Sequence, residues 1–197
     1  MTISIAKSAI YDRNKKIIAY ELLYRNSEEN SCLNIDDSIA TLGVINTIFR
    51  VGLNSITQGK LGFINLSKPF IKYEILKLLP KDKIGIEILE DVEPDSEIID
   101  ACLKLKKEGY IIALDDFILT NPINPLVKIA DIIKIDFLKY SFEERNDIIN
   151  KVGINRVKFL AEKVETYNDY QQAKNAGYSY FQGYYFSKPE LMIYEEF

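Results

Sequence analysis

Apolar residues in this chain gather into short runs that stop at polar or turn-forming residues, and the spacing of those runs predicts the elements. Ile3 to Ile10 reads as an opening strand, Asp12-Arg13-Asn14-Lys15-Lys16 as a polar turn, and Ile17 to Leu23 as a second strand. So short a connection favours a hairpin, and the first pair is expected to be antiparallel. Residues 26 to 37 are polar and loop-like. Asp36 or Asp37 then caps a helix to about Val51, with Ile39, Leu42, Ile45, Ile48 and Phe49 on one face and Gly52 as its stop.

From there the pattern alternates. Leu61 to Leu66 is a strand, and Pro69 opens a short helix through Leu79. Lys83 to Leu89 is a strand, and a helix from about Ser96 to Lys107 is closed by Gly109. Tyr110 to Leu114 is a buried strand that halts on Asp115-Asp116, and a loop with Asn121-Pro122 and Asn124-Pro125 comes next. Residues 131 to 137 form a strand. Ser141 caps a helix carrying Ile148, Ile149 and Val152, and Val157 to Ala161 is a strand. Thr166 to Ala176 is a helix ended by Gly177, and Tyr178 to Phe186 is the last strand. Eight strands alternating with helices predict an α/β fold, a compact (β/α)₈ TIM-like barrel with an antiparallel first strand, spanning residues 1–197 as a single domain. An open doubly wound sheet is the alternative, but no glycine-rich phosphate loop comes after an early strand.

Composition narrows the chemistry. With 197 residues, 47% of them apolar, the chain can bury a full core. A net charge of −4 gives no global reason to expect a nucleic acid polymer as partner. No apolar run approaches the roughly 18 residues of a membrane span, and no signal-peptide pattern is present. A cytoplasmic protein with reduced, packed Cys32 and Cys102 is expected. There is no histidine. That removes Ser-His-Asp and Cys-His mechanisms and every histidine-ligated zinc or iron site. Any bound metal should be a hard, oxygen-preferring ion such as Mg²⁺ or Mn²⁺.

The strand ends carry Glu21, Asn65, Glu87, Asp115 with Asp116, Lys134 with Asp136, Glu162, and Gln182. Each alone has a structural explanation: Asn65 as a helix cap, Lys134 as a snorkelling side chain, Asp115-Asp116 as a strand end before a cap. Together they converge on the face where barrels hold their active sites. So many acids beside one lysine cannot all ionise in one cavity without cations. Two divalent ions roughly 3.5–4 Å apart would meet that need and suit phosphate-ester hydrolysis. A Schiff-base aldolase using Lys134 is disfavoured, because nearby acids keep that lysine protonated.

At these residues the chain resembles the EAL domain family, phosphodiesterases that linearise the bacterial second messenger cyclic di-GMP. The resemblance spans nearly the whole chain. It rests on Tyr20-Glu21-Leu22-Leu23-Tyr24-Arg25, Asn65-Leu66-Ser67, Glu87-Ile88-Leu89-Glu90, Leu114-Asp115-Asp116-Phe117, Lys134-Ile135-Asp136, Ala161-Glu162-Lys163-Val164-Glu165-Thr166 and Gln182-Gly183-Tyr184. The wording is most similar to the EAL branch fused to a C-terminal HDOD domain, which would lie beyond Phe197. The resemblance implies Glu21, Asn65, Glu87, Asp115 and Asp116 as metal ligands for one or two Mg²⁺ or Mn²⁺ ions. It implies Glu162 as general base or metal-water ligand and Lys134 as the residue holding the water. Arg25 would contact a substrate phosphate, and Asp136, Glu165 and Gln182 would support the substrate or water network.

Departures surround these positions. The signature Glu-Ala-Leu is Glu21-Leu22-Leu23, and the family's Gln-Pro-Ile, whose glutamine helps hold guanine, is Ser8-Ala9-Ile10. Leu89 and Lys163 replace a threonine and a glycine. The segment after Asp115-Asp116-Phe117 is Ile118-Leu119-Thr120-Asn121-Pro122, where the family has glycine and a small, polar loop that couples dimerisation to metal binding. Isoleucine cannot cheaply take glycine's positive-φ conformations, and the prolines stiffen the rest of the loop. The expected function is therefore a divergent cyclic di-GMP signalling domain, regulatory or nucleotide-sensing, with the metal ligands retained and a homodimer or a signalling protein as partner. The alternative is an active phosphodiesterase that hydrolyses cyclic di-GMP to linear pGpG.

Overall fold

The computed structural model describes residues 3–25, 37–71, 74–120 and 123–194. Strands β1 (Ile3–Asp12) and β2 (Ile17–Arg25) form the expected antiparallel hairpin. Strands β3 (Leu61–Leu66), β4 (Ile84–Ile88), β5 (Ile111–Leu114), β6 (Ile132–Asp136), β7 (Lys158–Glu162) and β8 (Tyr180–Phe181) then run in parallel, each beside its predecessor. The sheet closes because β1 pairs antiparallel with β2 on one side and with β8 on the other. The result is an eight-stranded barrel with alternating helices.

The local signals largely hold. Helix α4 (Ser96–Glu108) is capped by Asp95 and ends on left-handed Gly109. Helix α5 (Phe142–Val152) begins with a reciprocal capping box between Ser141 and Glu144. Helix α6 (Tyr167–Asn175) begins with the same device between Thr166 and Asp169. Each box satisfies two amide donors that the first helical turn would otherwise leave open. In the Pro69 segment the described elements are α3 (Lys68–Ile71) and a 3₁₀ turn, Glu74–Leu78. Among the described residues between β5 and β6, the one helical element is the 3₁₀ turn Pro125–Lys128, capped by Asn124. Asn121, Pro122 and Cys32 lie outside the described residues.

Two expectations fail in informative ways. Helix α1 (Asp37–Val51), followed by the short α2 (Leu53–Thr57), buries Thr41, Val44, Ile45 and Ile48, while Ile39, Leu42 and Phe49 face outward. The helix is apolar on two sides, so periodicity alone cannot choose the face that packs. The last strand is also shorter than expected. After β8 the chain turns at Gly183, and Glu190–Tyr194 forms an additional strand, β9, antiparallel to the first half of β1.

The reason for that turn is a close backbone approach. The Val164 amide donates to the Gln182 carbonyl at 3.0 Å, and the Tyr185 amide donates to the Val164 carbonyl at 3.0 Å. A Cβ at Gly183, where φ is 148°, would stand 2.3 Å from the Val164 nitrogen and oxygen. Only glycine fits there. Gly183→Ala should therefore lower the unfolding free energy by about 2–4 kcal/mol in urea titrations. A loss within experimental error would show that the close approach is not needed.

Candidate metal centre

Inside the barrel, side chains alternate along each strand. One inward layer is apolar and seals the barrel: Ile10, Ala19, Phe63, Ala113, Ile132 and Leu160 form one cluster. Two residues further toward the C-terminal ends of the parallel strands, the inward positions are Glu21, Asn65, Asp115, Lys134, Glu162 and Gln182, joined by Glu87 of β4 and by Ser8 of the antiparallel β1. The stagger of the barrel arranges these residues in pairs. Asn65 is level with Glu87 and Ser8 with Glu21, whereas Glu21 is level with Phe63 and Lys134 with Leu160. Each of the eight barrel strands thus contributes, at or just past its end in the case of β5 and β8, one polar side chain to a single cluster above an apolar floor.

Lys134 is its centre. The side chain is fully buried, and its Nζ lies 2.7 Å from Asp115 Oδ1, 2.8 Å from Glu87 Oε2, 3.0 Å from Glu162 Oε1 and 3.6 Å from Glu21 Oε1. Burial works against its charge, but Asp115, Glu162, Glu21 and Glu87 together hold it well above the ordinary lysine range. Lys134 is therefore an ammonium and not a nucleophile, which excludes the Schiff-base reading. Burial pushes the Glu87 carboxyl well above its ordinary value despite Lys134. Burial likewise pushes Glu162 up to about 8, with Lys134 opposing and Asp115 and Glu21 adding to the rise. Just past β8 the Gln182 Nε2 donates to Glu21 Oε2 and to Ser8 Oγ, both at 2.7 Å, fixing the orientation of Glu21. Ser8 is a member of the cluster that the strand-end reading passed over. The signal was its period-two spacing from inward-facing Ile10.

These donors fit a hard divalent cation. Ligand oxygens of Glu21, Glu87 and Asp115 lie within 4.8 Å of one another. Asn65 Oδ1 and Glu87 Oε1 are buried with no hydrogen-bond partner. A buried oxygen left in that state is costly unless something binds it. An all-oxygen set of carboxylates and an amide carbonyl is the chemistry that Mg²⁺ or Mn²⁺ prefers. When bound, such an ion polarises a phosphoryl oxygen and makes its water more acidic. The chain's own groups surround that position: Lys134 lies against four carboxylates, Glu162 among them.

Above the cluster opens a cavity of about 670 Å³ lined by Ser8, Glu21, Asn65, Asp115, Asp116, Glu162, Lys163, Glu165 and Gln182, among others. The structure thus gathers most of the expected site residues around one space. Arg25 faces a neighbouring cavity of about 150 Å³ that shares Leu23 and Asn65 with the first. Asp136 is committed elsewhere: its Oδ1 accepts from the Leu138 and Lys139 amides at 2.7 and 3.2 Å, and its Oδ2 pairs with Lys163. The strain expected at Ile118 does not arise. Among the described residues, the positive-φ positions other than glycine are Lys15, Gln58, Asp116 and Lys163, and Ile118 is not one of them. Asp116, at φ 39°, makes the left-handed turn that lets the chain leave β5, and aspartate tolerates that conformation.

The raised Glu162 carboxyl has a consequence for metal-free protein. Its proton is held more tightly in the folded state, at about 8, than at the ordinary value of 4.5. The resulting stabilisation is complete below about pH 4.5 and is lost as pH rises through about 8. Denaturant titrations in chelator should show wild-type stability falling over that window more steeply than Glu162→Gln. Parallel curves for the two proteins would contradict this assignment.

The EAL domain profile matches residues 8–189. The uncharacterized protein YuxH of Bacillus subtilis is 40% identical over 198 residues, covering 98% of this chain and 48% of YuxH. The cyclic di-GMP phosphodiesterase CdgJ of Vibrio cholerae is 30% identical over 196 residues, covering 97% of this chain and 45% of CdgJ. The chain spans about half the length of these curated relatives. Among solved structures, YkuI of Bacillus subtilis, an EAL-domain protein in complex with cyclic di-GMP and calcium, superposes with a TM-score of 0.73. Its identity is 22%, and the match covers 97% of this chain and 55% of that one, a likeness of fold. With the barrel, the strand-end cluster and the profile match in agreement, the chain belongs to the EAL domain family.

Proposed function

We propose that this domain binds cyclic di-GMP together with a divalent cation in the cavity above the strand ends, and that it serves a regulatory or nucleotide-sensing role. The observation that carries the binding is the convergence of the Glu21, Glu87 and Asp115 oxygens within 4.8 Å, beneath a cavity that also reaches Glu165 and Gln182. Asn65 and Asp116 complete the ligand set, with the ion Mg²⁺ or Mn²⁺. The resemblance to CdgJ, named a cyclic di-GMP phosphodiesterase, supports the nucleotide. Lys163 on the rim, paired with Asp136, favours the sensing role, because it ties up a carboxylate otherwise free to arrange substrate or water.

A second reading is hydrolysis to linear pGpG, favoured by the placement of Glu162 against Lys134 at 3.0 Å. In it Glu162 takes the proton from the attacking water, Lys134 holds that water, and Arg25, Glu165 and Gln182 orient the nucleotide. In both readings residues 1–197 act as one domain in the cytoplasm, partnered by a second copy or a signalling protein. The wording of the motifs further suggests an HDOD-like domain in the full protein. Among the described residues, no helix is long and apolar enough to cross a membrane.

Calorimetry with cyclic di-GMP in Mg²⁺ or Mn²⁺, alongside chromatography of the products, separates these readings. Binding that is weakened at least tenfold by Glu21→Ala, with no product, supports the sensor. Product formation abolished by both Glu21→Ala and Glu162→Ala supports the enzyme. The absence of nucleotide binding would overturn both.

A further inference from the structure

The main chain of Gln182 is fixed on both sides. Its amide donates to the Ala161 carbonyl at 2.8 Å, and its carbonyl accepts from the Val164 amide at 3.0 Å. What remains to be set is the side chain, and both bonds that orient the carboxamide come from one atom. Nε2 donates to Glu21 Oε2 and to Ser8 Oγ, each at 2.7 Å, whereas Oε1 is buried with no hydrogen-bond partner. Both hydrogens of Nε2 are thereby used. Turning the amide over would set Oε1 against a carboxylate and leave Nε2 without either acceptor.

Ser8 is placed for this by strand register. It lies opposite Glu21 in the antiparallel β1–β2 pair, and its side chain is buried, where such a bond is electrostatically stronger than in water. The two acceptors are not equivalent once a cation is bound. Glu21 is one of the carboxylates that converge on the metal position, and Ser8 is not. A carboxylate that shares its charge with a divalent ion is a weaker acceptor, so its hold on Nε2 slackens. Ser8 keeps its full accepting strength and with it the attitude of the amide. With Glu21 Oε2 held on the Gln182 side, Oε1 stays 3.6 Å from Lys134 Nζ, the atom that Glu87 and Asp115 also meet.

We propose that Ser8 is a positioning residue for metal binding. By accepting the second hydrogen bond of the Gln182 amide, it keeps that amide on Glu21 and so holds the Glu21 carboxylate toward Glu87 and Asp115. The inference rests on the metal-binding reading above and extends it to a side chain outside the ligand set. Removing a group that orients a metal ligand from behind typically costs about 10–100-fold in metal affinity.

Titration calorimetry of the whole chain with Mn²⁺ tests this. Ser8→Ala should weaken Mn²⁺ binding about tenfold. Gln182→Ala should weaken it at least as much, and the double variant no further than Gln182→Ala alone, because Ser8 acts through the amide. Ser8→Thr and Ser8→Val are alike in shape and differ in the hydroxyl, so Ser8→Thr should bind Mn²⁺ about tenfold more tightly than Ser8→Val. Wild-type affinity in Ser8→Ala would overturn the inference while leaving the metal centre standing. So would equal affinities in Ser8→Thr and Ser8→Val, or losses that multiply in the double variant. No Mn²⁺ binding by wild type would overturn the inference and the metal-binding reading together.

Discussion

One ammonium inside a barrel governs the rest of this structure. Lys134 has no exposed surface, and four carboxylates stand within 3.6 Å of it. Burying a charge without partners costs several kcal/mol or more. The cluster is therefore mutually dependent: the lysine keeps the acids together, and the acids keep the lysine charged. One positive charge cannot neutralise every acid around it. Burial, with the fields of neighbouring acids added, makes Glu87 and Glu162 bind protons more tightly, while Asn65 and Glu87 retain unpartnered oxygens. A divalent ion answers both the excess charge and the unpartnered donors.

The barrel makes this arrangement possible. Closing eight strands requires stagger, and stagger places inward side chains of neighbouring strands in levels. The same period-two rule that makes Ile10, Ala19, Phe63, Ala113, Ile132 and Leu160 a dry floor sets their successors toward the cavity. The antiparallel β1 joins the scheme through Ser8, which helps Gln182 hold Glu21. β1 is in turn held by β2, β8 and β9. The close approach of Gly183 to Val164 fixes the turn that carries Gln182 beside the loop after Glu162.

Much of this was legible in the residue order because it depends on local rules. Buried strands are uninterrupted apolar runs, so a polar residue at the end of each was visible without coordinates. The caps at Ser141 and Thr166 and the stop at Gly109 were visible for the same reason. The features that could not be read depend on neighbours distant in sequence. The two apolar faces of α1 become inequivalent only when one meets the barrel. β9 exists only because β1 offers it an edge. Asp136, a strand-end acid like the others, is diverted to Lys163 and the amides of its own turn. The expected difficulty at Ile118 likewise dissolved, because the left-handed residue is Asp116.

Family membership and an ordered ligand set make a metal-assisted nucleotide site the economical account of these acids. Its central claim is that a divalent ion sits between Glu21, Glu87 and Asp115, beside Lys134. Anomalous diffraction from crystals grown with Mn²⁺ addresses it most directly. An anomalous peak is expected within bonding distance of those three carboxylates and of Asn65 Oδ1. A well-ordered, Lys134-centred cluster with no peak there at millimolar Mn²⁺ would contradict it.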